Sequence, residues 1–217
     1  MTWVLANTEL IGSRLLAHIW QSVPPIVLSF LLALPLAKLA NRVGWLRGTF
    51  TGAAGLMYAI PSLPLFIVLP LILGTSARSP INVIVALTIY GLALMVPSAA
   101  EAMRAVPRAT LDSATAQGYA PFARFLQVEL PLAGPALLAG LRVVAVSTIS
   151  LVTVGGVLGI PSLGMLFVDG FQRNIQAQIL AGIVLTAALA LAVDALLVLI
   201  GRVLMPWSRP APRKVGA

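Results

Sequence analysis

Five long apolar stretches, separated by shorter polar segments, decide what this chain can fold into. They run over residues 19–40, 52–73, 81–100, 132–157 and 179–204. A transmembrane helix needs about 20 predominantly apolar residues. It also satisfies its backbone hydrogen bonds within one segment, as lipid requires. The sequence therefore predicts an all-α fold, a polytopic membrane helix bundle with about five transmembrane helices.

The composition fits a membrane protein and argues against several functional classes. Hydrophobic residues make up 59% and charged residues 9% of the 217 residues, whereas roughly 25% of residues are charged in soluble domains. The net charge of +8 does not indicate nucleic-acid binding, because the basic residues lie at the edges of the apolar stretches. With no cysteine and one histidine, His18, we expect no metal site and no resident cofactor.

The chain also has no nucleotide-binding loop of the GxxxxGK[ST] kind. We therefore expect that it is not an enzyme and does not itself hydrolyse ATP. A partner subunit or an ion gradient must then supply the energy for any active transport.

We divide the chain into three segments. Residues 1–17 mix polar and apolar side chains and lack the pattern of a removable signal peptide. We expect them to form an amphipathic lead-in at the membrane interface. Residues 18–204 form the membrane domain, and residues 205–217 form a basic tail.

The polar interval from Pro107 to Pro131 predicts two short helices joined at a glycine. Residues 112–117 favour a helix, Gly118 permits a left-handed backbone, and Pro121 suits the first turn of a second helix. Arg124 and Gln127 should point away from the apolar face of that second helix. Three side chains at i, i+3 and i+4 form this face: Phe122, Phe125 and Leu126. We expect the pair of helices to project from the membrane and dock into a groove of a soluble partner.

This interval resembles the cytoplasmic coupling-helix loop of the permease subunits of ATP-binding-cassette (ABC) importers. Their pattern is Glu-Ala-Ala, three residues, Gly, nine residues and Ile-x-Leu-Pro. Every spacing is preserved here, with Asp112 replacing Glu and Ser113 replacing the first Ala. An ordinary amphipathic loop, the alternative, predicts no fixed distance from glycine to Leu-Pro. The resemblance implies a coupling role for these residues: Asp112, Ser113, Ala114, Gly118, Phe122, Arg124, Phe125, Val128, Leu130 and Pro131.

A second resemblance, over residues 18–204, is to the osmoprotectant branch of these permeases. It rests on the stretches that begin at Tyr58 (Tyr-Ala-Ile-Pro-Ser-Leu-Pro-Leu), Tyr90 (Tyr-Gly-Leu-Ala-Leu-Met-Val-Pro-Ser), Gly159 (Gly-Ile-Pro-Ser-Leu-Gly) and Ile179 (Ile-Leu-Ala-Gly). The branch carries glycine betaine, choline, carnitine or similar quaternary amines. One departure is that Ile-Pro-Ser at residues 160–162 replaces the Ala-Gly-Gly that is common before Leu-Gly.

The resemblance implies a permease with three kinds of partner: a cytoplasmic ABC ATPase subunit, an extracytoplasmic substrate-binding protein and a second permease chain. The binding protein would dock on loops such as residues 155–178. Alternatives are an ABC permease for another solute such as an amino acid, a self-sufficient secondary transporter, or a structural subunit without a pathway. A secondary transporter usually has an internal repeat with broken helices in both halves, and the sequence shows one strongly broken helix.

The distribution of basic residues predicts an orientation in the cell membrane. If the interval from Pro107 to Pro131 is cytoplasmic, eleven of the fourteen Lys and Arg residues lie on that side, in agreement with the positive-inside rule. Five spans then place the N-terminus outside and the C-terminus in the cytoplasm.

Tyr58, Pro61, Ser62 and Tyr90 are candidates for lining a pathway. Pro61 breaks the second apolar stretch, and a helix break at membrane depth is tolerated against protein or a cavity. A simple packing kink is the alternative. The tyrosines offer aromatic faces to a quaternary ammonium, but we favour interfacial or packing roles for them.

Arg142 and Asp194 are charged residues within the last two apolar stretches, each well inside its stretch. Charged groups inside a membrane need a partner or a water-filled lining. The two residues lie at similar depths, about 12 and 13 Å from the cytoplasmic ends of their helices at 1.5 Å per residue. We therefore expect an ion pair. In the alternative, Asp194 faces the pathway and Arg142 reaches the headgroups.

Overall fold

The computed structural model describes residues 2–43, 52 and 60–208, and these residues form helices joined by short turns. No strand occurs in this part of the chain, so the prediction of an all-α bundle is confirmed. A π-helical segment, Phe125–Glu129, joins the short helix Pro121–Arg124 to the long helix Leu130–Gly155. The α-helices, in chain order, are α1 (Thr2–Ala6), α2 (Thr8–Arg42), α3 (Ser62–Leu73), α4 (Pro80–Arg104), α5 (Arg108–Ala116), α6 (Pro121–Arg124), α7 (Leu130–Gly155), α8 (Gly164–Gln172) and α9 (Gln176–Leu204).

Four helices of the described residues are long and apolar enough to cross a membrane. They are α2, α4, the continuous helix through α6 and α7, and α9. The predicted second span appears only as its last part, the 12-residue α3, because residues 53–59 lie outside the described residues. Tyr58 lies outside them too.

Helix α2 is longer than the first span that the sequence predicts. It begins at Thr8 and continues unbroken to Arg42, a length of about 52 Å at 1.5 Å per residue. Residues 8–17 therefore belong to the same helix as the span, because nothing between Thr8 and Pro24 interrupts a helix. Residues 8–17 of the predicted lead-in, residues 1–17, thus continue without a break into the span. The location of the lead-in at the membrane interface remains a prediction.

The predicted break in the second span is present at Pro61. This residue is extended, with ψ 136°, and α3 begins immediately after it. Tyr90 of α4 is 5% exposed and donates its hydroxyl proton to the backbone carbonyl of Ile60. The side chain of Tyr90 thus satisfies a carbonyl beside the break.

Helix α4 is at the centre of the bundle and packs mainly on α2 and α7. Met95 and Ala99 are fully buried there, against Ala37 of α2 and Leu137 of α7. Small residues let membrane helices approach closely, so those of the fourth predicted span, residues 132–157, favour a place inside the bundle. That expectation holds for Ala145 and Gly140, whereas Ala136 and Ala139 are exposed. α7 is therefore enclosed on one face only, and α4 is the more enclosed helix.

The return segment, residues 155–178, is largely packed against the bundle and is not a simple loop. Ile160, Ser162, Leu163 and Leu166 are buried, and α8 forms within it. Gly164 allows its backbone to lie against the backbone of Thr153, where no side chain would fit. The segment folds back into the bundle, and only part of it is exposed.

A buried histidine of α2 holds this return segment in place. The Nε2 atom of His18 donates to the carbonyl of Ile149 (3.0 Å), and the Leu163 N–H donates to its Nδ1 atom (3.3 Å). Because a carbonyl only accepts and an N–H only donates, these partners assign the neutral Nε2–H tautomer. One turn later, Gln21 donates to the carbonyl of Pro161 at 2.6 Å.

We expect the substitution His18→Leu to destabilise the fold. It leaves the buried N–H of Leu163 without its partner, which costs about 1–3 kcal/mol. Thermal unfolding of the purified chain in detergent measures this as a lower Tm. Ser13→Ala is the control, because the Ser13 hydroxyl is on the same helix but exposed. An equal Tm for both variants would contradict the stabilising role of His18.

Candidate functional site

A sharp elbow joins α5 to α6 at Gly118. The Tyr119 N–H donates to the carbonyl of Ala114 (3.2 Å), and the Gly118 N–H donates to that of Thr115 (3.0 Å). This pair of bonds is a Schellman motif, which needs a left-handed residue where Gly118 has φ +88°. Pro121 then occupies the first turn of α6. The turn at Gly118 and the start at Pro121 agree with the sequence prediction.

The second limb of the elbow differs from the prediction of a separate short helix. α6 continues through the π-helical segment Phe125–Glu129 into α7, so the limb is the start of a membrane-spanning helix. The wider π turn rotates the following side chains relative to an α-helix. Phe122 and Leu126 are exposed, whereas Phe125 packs against the core. The expected apolar face of these three side chains is therefore divided.

The motif residues of the elbow fall into an exposed and an enclosed group. Asp112 and Ser113 are exposed and Phe122 is 73% exposed, whereas Ala114 is 5% exposed. Arg124 reaches back to donate to the Thr115 hydroxyl at 2.7 Å and so links the two limbs. The enclosed or half-buried members anchor the elbow to the bundle: Ala114, Phe125, Val128, Leu130 and Pro131.

The structure reveals an ion pair beneath the elbow that the sequence analysis missed. Lys38 of α2 donates to the carboxylate of Glu129 at the end of the π-helical segment. Glu129 is 4% exposed, and the Lys38 ammonium lies 5.0 Å from the centre of the Phe125 ring. Lys38 lies near the end of the first apolar stretch and Glu129 just before the fourth, and these opposite charges were the available signal.

A cleft of about 500 Å³ lies beside the break at Pro61. Its lining includes Pro61, Ser62 and Tyr90, and so brings together three of the four candidate pathway residues. Tyr90 is nearly buried and its hydroxyl donates to the carbonyl of Ile60. Both observations support a packing role for this side chain. Helix α7 adds the hydroxyls of Ser147 and Ser150, which the sequence analysis did not select.

Arg142 and Asp194 are in direct contact between α7 and α9. The Nε atom of Arg142 donates to one carboxylate oxygen of Asp194 at 2.6 Å, and a terminal nitrogen donates to the other at 2.7 Å. This is the bidentate geometry that matches a guanidinium to a carboxylate. The side chains are 41% and 25% exposed. The alternative of separate surroundings for the two charges is not what the structure shows.

Comparison with known proteins identifies the family. The family described as "Binding-protein-dependent transport system inner membrane component" matches residues 12–209. The chain belongs to this family. The match begins before residue 18, so it includes part of the segment that we had separated from the membrane domain.

Several relatives cover nearly the whole chain. The osmoprotectant import permease protein OsmW of Salmonella typhimurium is 28% identical over 94% of this chain and 96% of its own length. The glycine betaine/carnitine/choline transport system permease protein OpuCD of Bacillus subtilis is 30% identical over 94% and 89%. A solved chain of the MetNI methionine ABC transporter, in inward facing conformations, has a TM-score of 0.81 at 19% identity, covering 91% and 97%. At that identity the likeness shows the fold alone.

Family membership settles the general role of the chain. It is a membrane-embedded permease component of an importer that depends on a substrate-binding protein. The ATPase activity of such an importer resides in a separate subunit. The expected type of partner, a subunit that supplies energy, is therefore correct.

We expect the Arg142–Asp194 pair to behave as a coupled unit. Arg142→Ala and Asp194→Ala should each lower the yield and Tm of the inserted chain, because each leaves one intramembrane charge without its partner. The double variant Arg142→Asp/Asp194→Arg should recover part of the loss. A double-mutant cycle on Tm measures the coupling, and purely additive losses would show that the contact contributes nothing.

Proposed function

We propose that this chain is the permease subunit of a type I ABC importer for osmoprotectants. The substrate class is glycine betaine, choline, carnitine or a related quaternary amine, and ATP hydrolysis on a partner subunit drives its uptake. The observation that carries the proposal is the Gly118 elbow, whose exposed first limb is joined by a tight turn to a second limb that continues into a membrane-spanning helix. The substrate class rests on the similarity to OsmW and OpuCD along almost the whole chain.

In the proposed complex, two permease chains form the pathway and two ATPase subunits bind beneath them. Each elbow, over residues 112–124, offers an ATPase the exposed side chains of Asp112, Ser113 and Phe122. An exposed aromatic side chain at the start of a helix suits a groove in a soluble partner. The cleft beside Pro61, with the hydroxyls of Ser62, Ser147 and Ser150, is the proposed wall of the pathway.

The substrate-binding protein should contact the opposite end of the bundle. The longest exposed run of the return segment is residues 171–174, and Phe171 is 81% exposed. We therefore narrow the expected docking loop from residues 155–178 to this short part and its neighbours.

The proposed orientation places the elbow in the cytoplasm and the N-terminus outside. Arg42, Arg104, Arg108 and Arg124 line cavities beside the elbow, which supports the positive-inside assignment. Because the chain has no cysteine, a thiol reagent labels a single introduced cysteine and no other residue. A membrane-impermeant maleimide added to intact spheroplasts should label Gln172→Cys but not Tyr119→Cys. Labelling of Tyr119→Cys alone would reverse the orientation.

Reconstitution tests the function directly. The chain should co-purify with an ABC ATPase co-expressed from the same transport system. Proteoliposomes of that complex with the matching binding protein should take up labelled glycine betaine, choline or carnitine only when ATP is supplied. Uptake by the chain alone on an ion gradient would instead support a secondary transporter. ATP-driven uptake of amino acids but not of quaternary amines would overturn the substrate class.

We expect Gly118→Val to reduce both ATPase binding and uptake without preventing insertion. Nothing lies within 4 Å of the site of an added Cβ at Gly118, so the damage comes from φ +88°, which a β-branched residue resists. Gly74→Val is a matched control, since Gly74 has φ +65° and equally open surroundings in a turn after α3. Equal co-purification and uptake in the two variants would show that the elbow conformation is not needed for coupling.

A further inference from the structure

The contact between Lys38 and Glu129 joins the first membrane helix to the elbow. Lys38 lies in the last turns of α2, and Glu129 ends the π-helical segment between α6 and α7. The two residues are 91 positions apart in sequence, so only the tertiary fold brings them together. Lys38 of α2 contacts both Glu129 and Phe125 of the second limb of the elbow.

The environment of Glu129 makes this contact costly to break. A carboxylate that is 4% exposed needs an opposite charge, and removal of that charge leaves the buried carboxylate unpaired, which is costly. The Lys38 side chain itself is 35% exposed. The Lys38 ammonium meets this need and also lies over the Phe125 ring at 5.0 Å, within reach of a cation–π attraction. One ammonium therefore holds both ends of the π-helical segment.

Both helices are irregular close to this contact. Pro35, three residues before Lys38 in α2, has no N–H to donate and so interrupts the regular hydrogen bonding there. On the other side lies the π turn, a feature that is frequent at functional sites. Helices bend most easily at such places. The segments that Lys38 and Glu129 join therefore flank the points where each helix bends most easily.

The end of α2 is also tied to the central helix. The Asn41 side chain donates to the carbonyl of Ala100 in α4 at 2.9 Å. A displacement of Glu129 would thus act on the end of α2 and, through it, on the core around α4. Far along the same continuous helix, His18 and Gln21 hold the return segment.

We propose that Lys38 is a positioning residue of the transport cycle, which holds the elbow against α2 through Glu129 and Phe125 and passes elbow movement to the first membrane helix. This inference rests on the proposed function, because it takes the elbow to be the ATPase contact. Lys38 acts through Glu129 and Phe125, and it needs no contact with the substrate or the ATPase.

The first test measures ATP hydrolysed per substrate molecule imported by the reconstituted complex. Lys38→Met should raise this ratio roughly 5-fold or more, the range of one allosteric coupling free energy, while the ATPase still binds. Lys38→Arg keeps the charge and should restore a ratio near that of the unaltered complex. A merely structural role would lower the amount of active complex and leave the ratio unchanged, and that result would overturn the proposal.

The matched control is Arg104→Met. Arg104 also forms an ion pair near the elbow, with Glu101, but that pair is exposed and lies within one turn of α4. Exposed pairs of this kind contribute little, so the control should leave the ratio unchanged. Because Lys38→Met leaves Glu129 without a partner, Lys38→Met/Glu129→Met removes both charges. It should fold better than Lys38→Met and remain uncoupled.

A second test needs no ATPase and separates this inference from the proposed function. A nitroxide on Tyr119→Cys, in the chain without other cysteines, reports elbow mobility in the isolated permease. Its mobility should rise in Lys38→Met and Glu129→Gln and stay unchanged in Lys38→Arg and Arg104→Met. Unchanged mobility in Lys38→Met and Glu129→Gln would overturn the inference even if ATP-driven uptake is demonstrated. Raised mobility in these two variants of a permease that binds no ATPase would support the role of the Lys38–Glu129 contact and refute the proposed function.

Discussion

The structure depends on one constraint: backbone N–H and C=O groups within lipid have no water to bind. Long helices satisfy most of them, and side chains stabilise the places where the helices are interrupted. The Tyr90 hydroxyl donates a hydrogen bond to the carbonyl of Ile60 beside the break at Pro61. The side chains of His18 and Gln21 form hydrogen bonds with the backbone of the return segment, where the chain turns back into the bundle. In the described part of the chain, these buried or nearly buried polar side chains therefore lie at irregular points of the backbone.

Charges follow the same rule. Arg142 and Asp194 meet in a bidentate pair between two helices, and Glu129 is enclosed against Lys38. The first pair is part-exposed and fastens the peripheral helix α9 to the bundle. The second lies beneath the elbow, where a helix of the bundle meets the surface proposed to bind the ATPase. Their positions give them different roles, although both satisfy the same electrostatic requirement.

Much of the elbow was predictable because its geometry is local. A glycine four residues after Ala114 and a proline three residues later specify a Schellman turn and a helix start. The packing of Phe125 against the core was not predictable, because α2 and α7 both contribute to the cluster that it contacts. Similarly, the opposite charges and similar depths of Arg142 and Asp194 predicted their contact. The pairing of Lys38 with Glu129 required knowing which helix ends are neighbours.

The sequence by itself determined the fold class, the helix-forming stretches, the elbow and the family resemblance, because hydrophobicity, glycine and proline act over a few residues. Only the tertiary structure decided that α4 is central, that the return segment is buried, and that Tyr90 packs at the break with its hydroxyl bound to Ile60. These features depend on contacts between residues distant in sequence. In an almost uniformly apolar chain many helix faces are equally hydrophobic, so the pattern of apolar residues does not specify which faces meet.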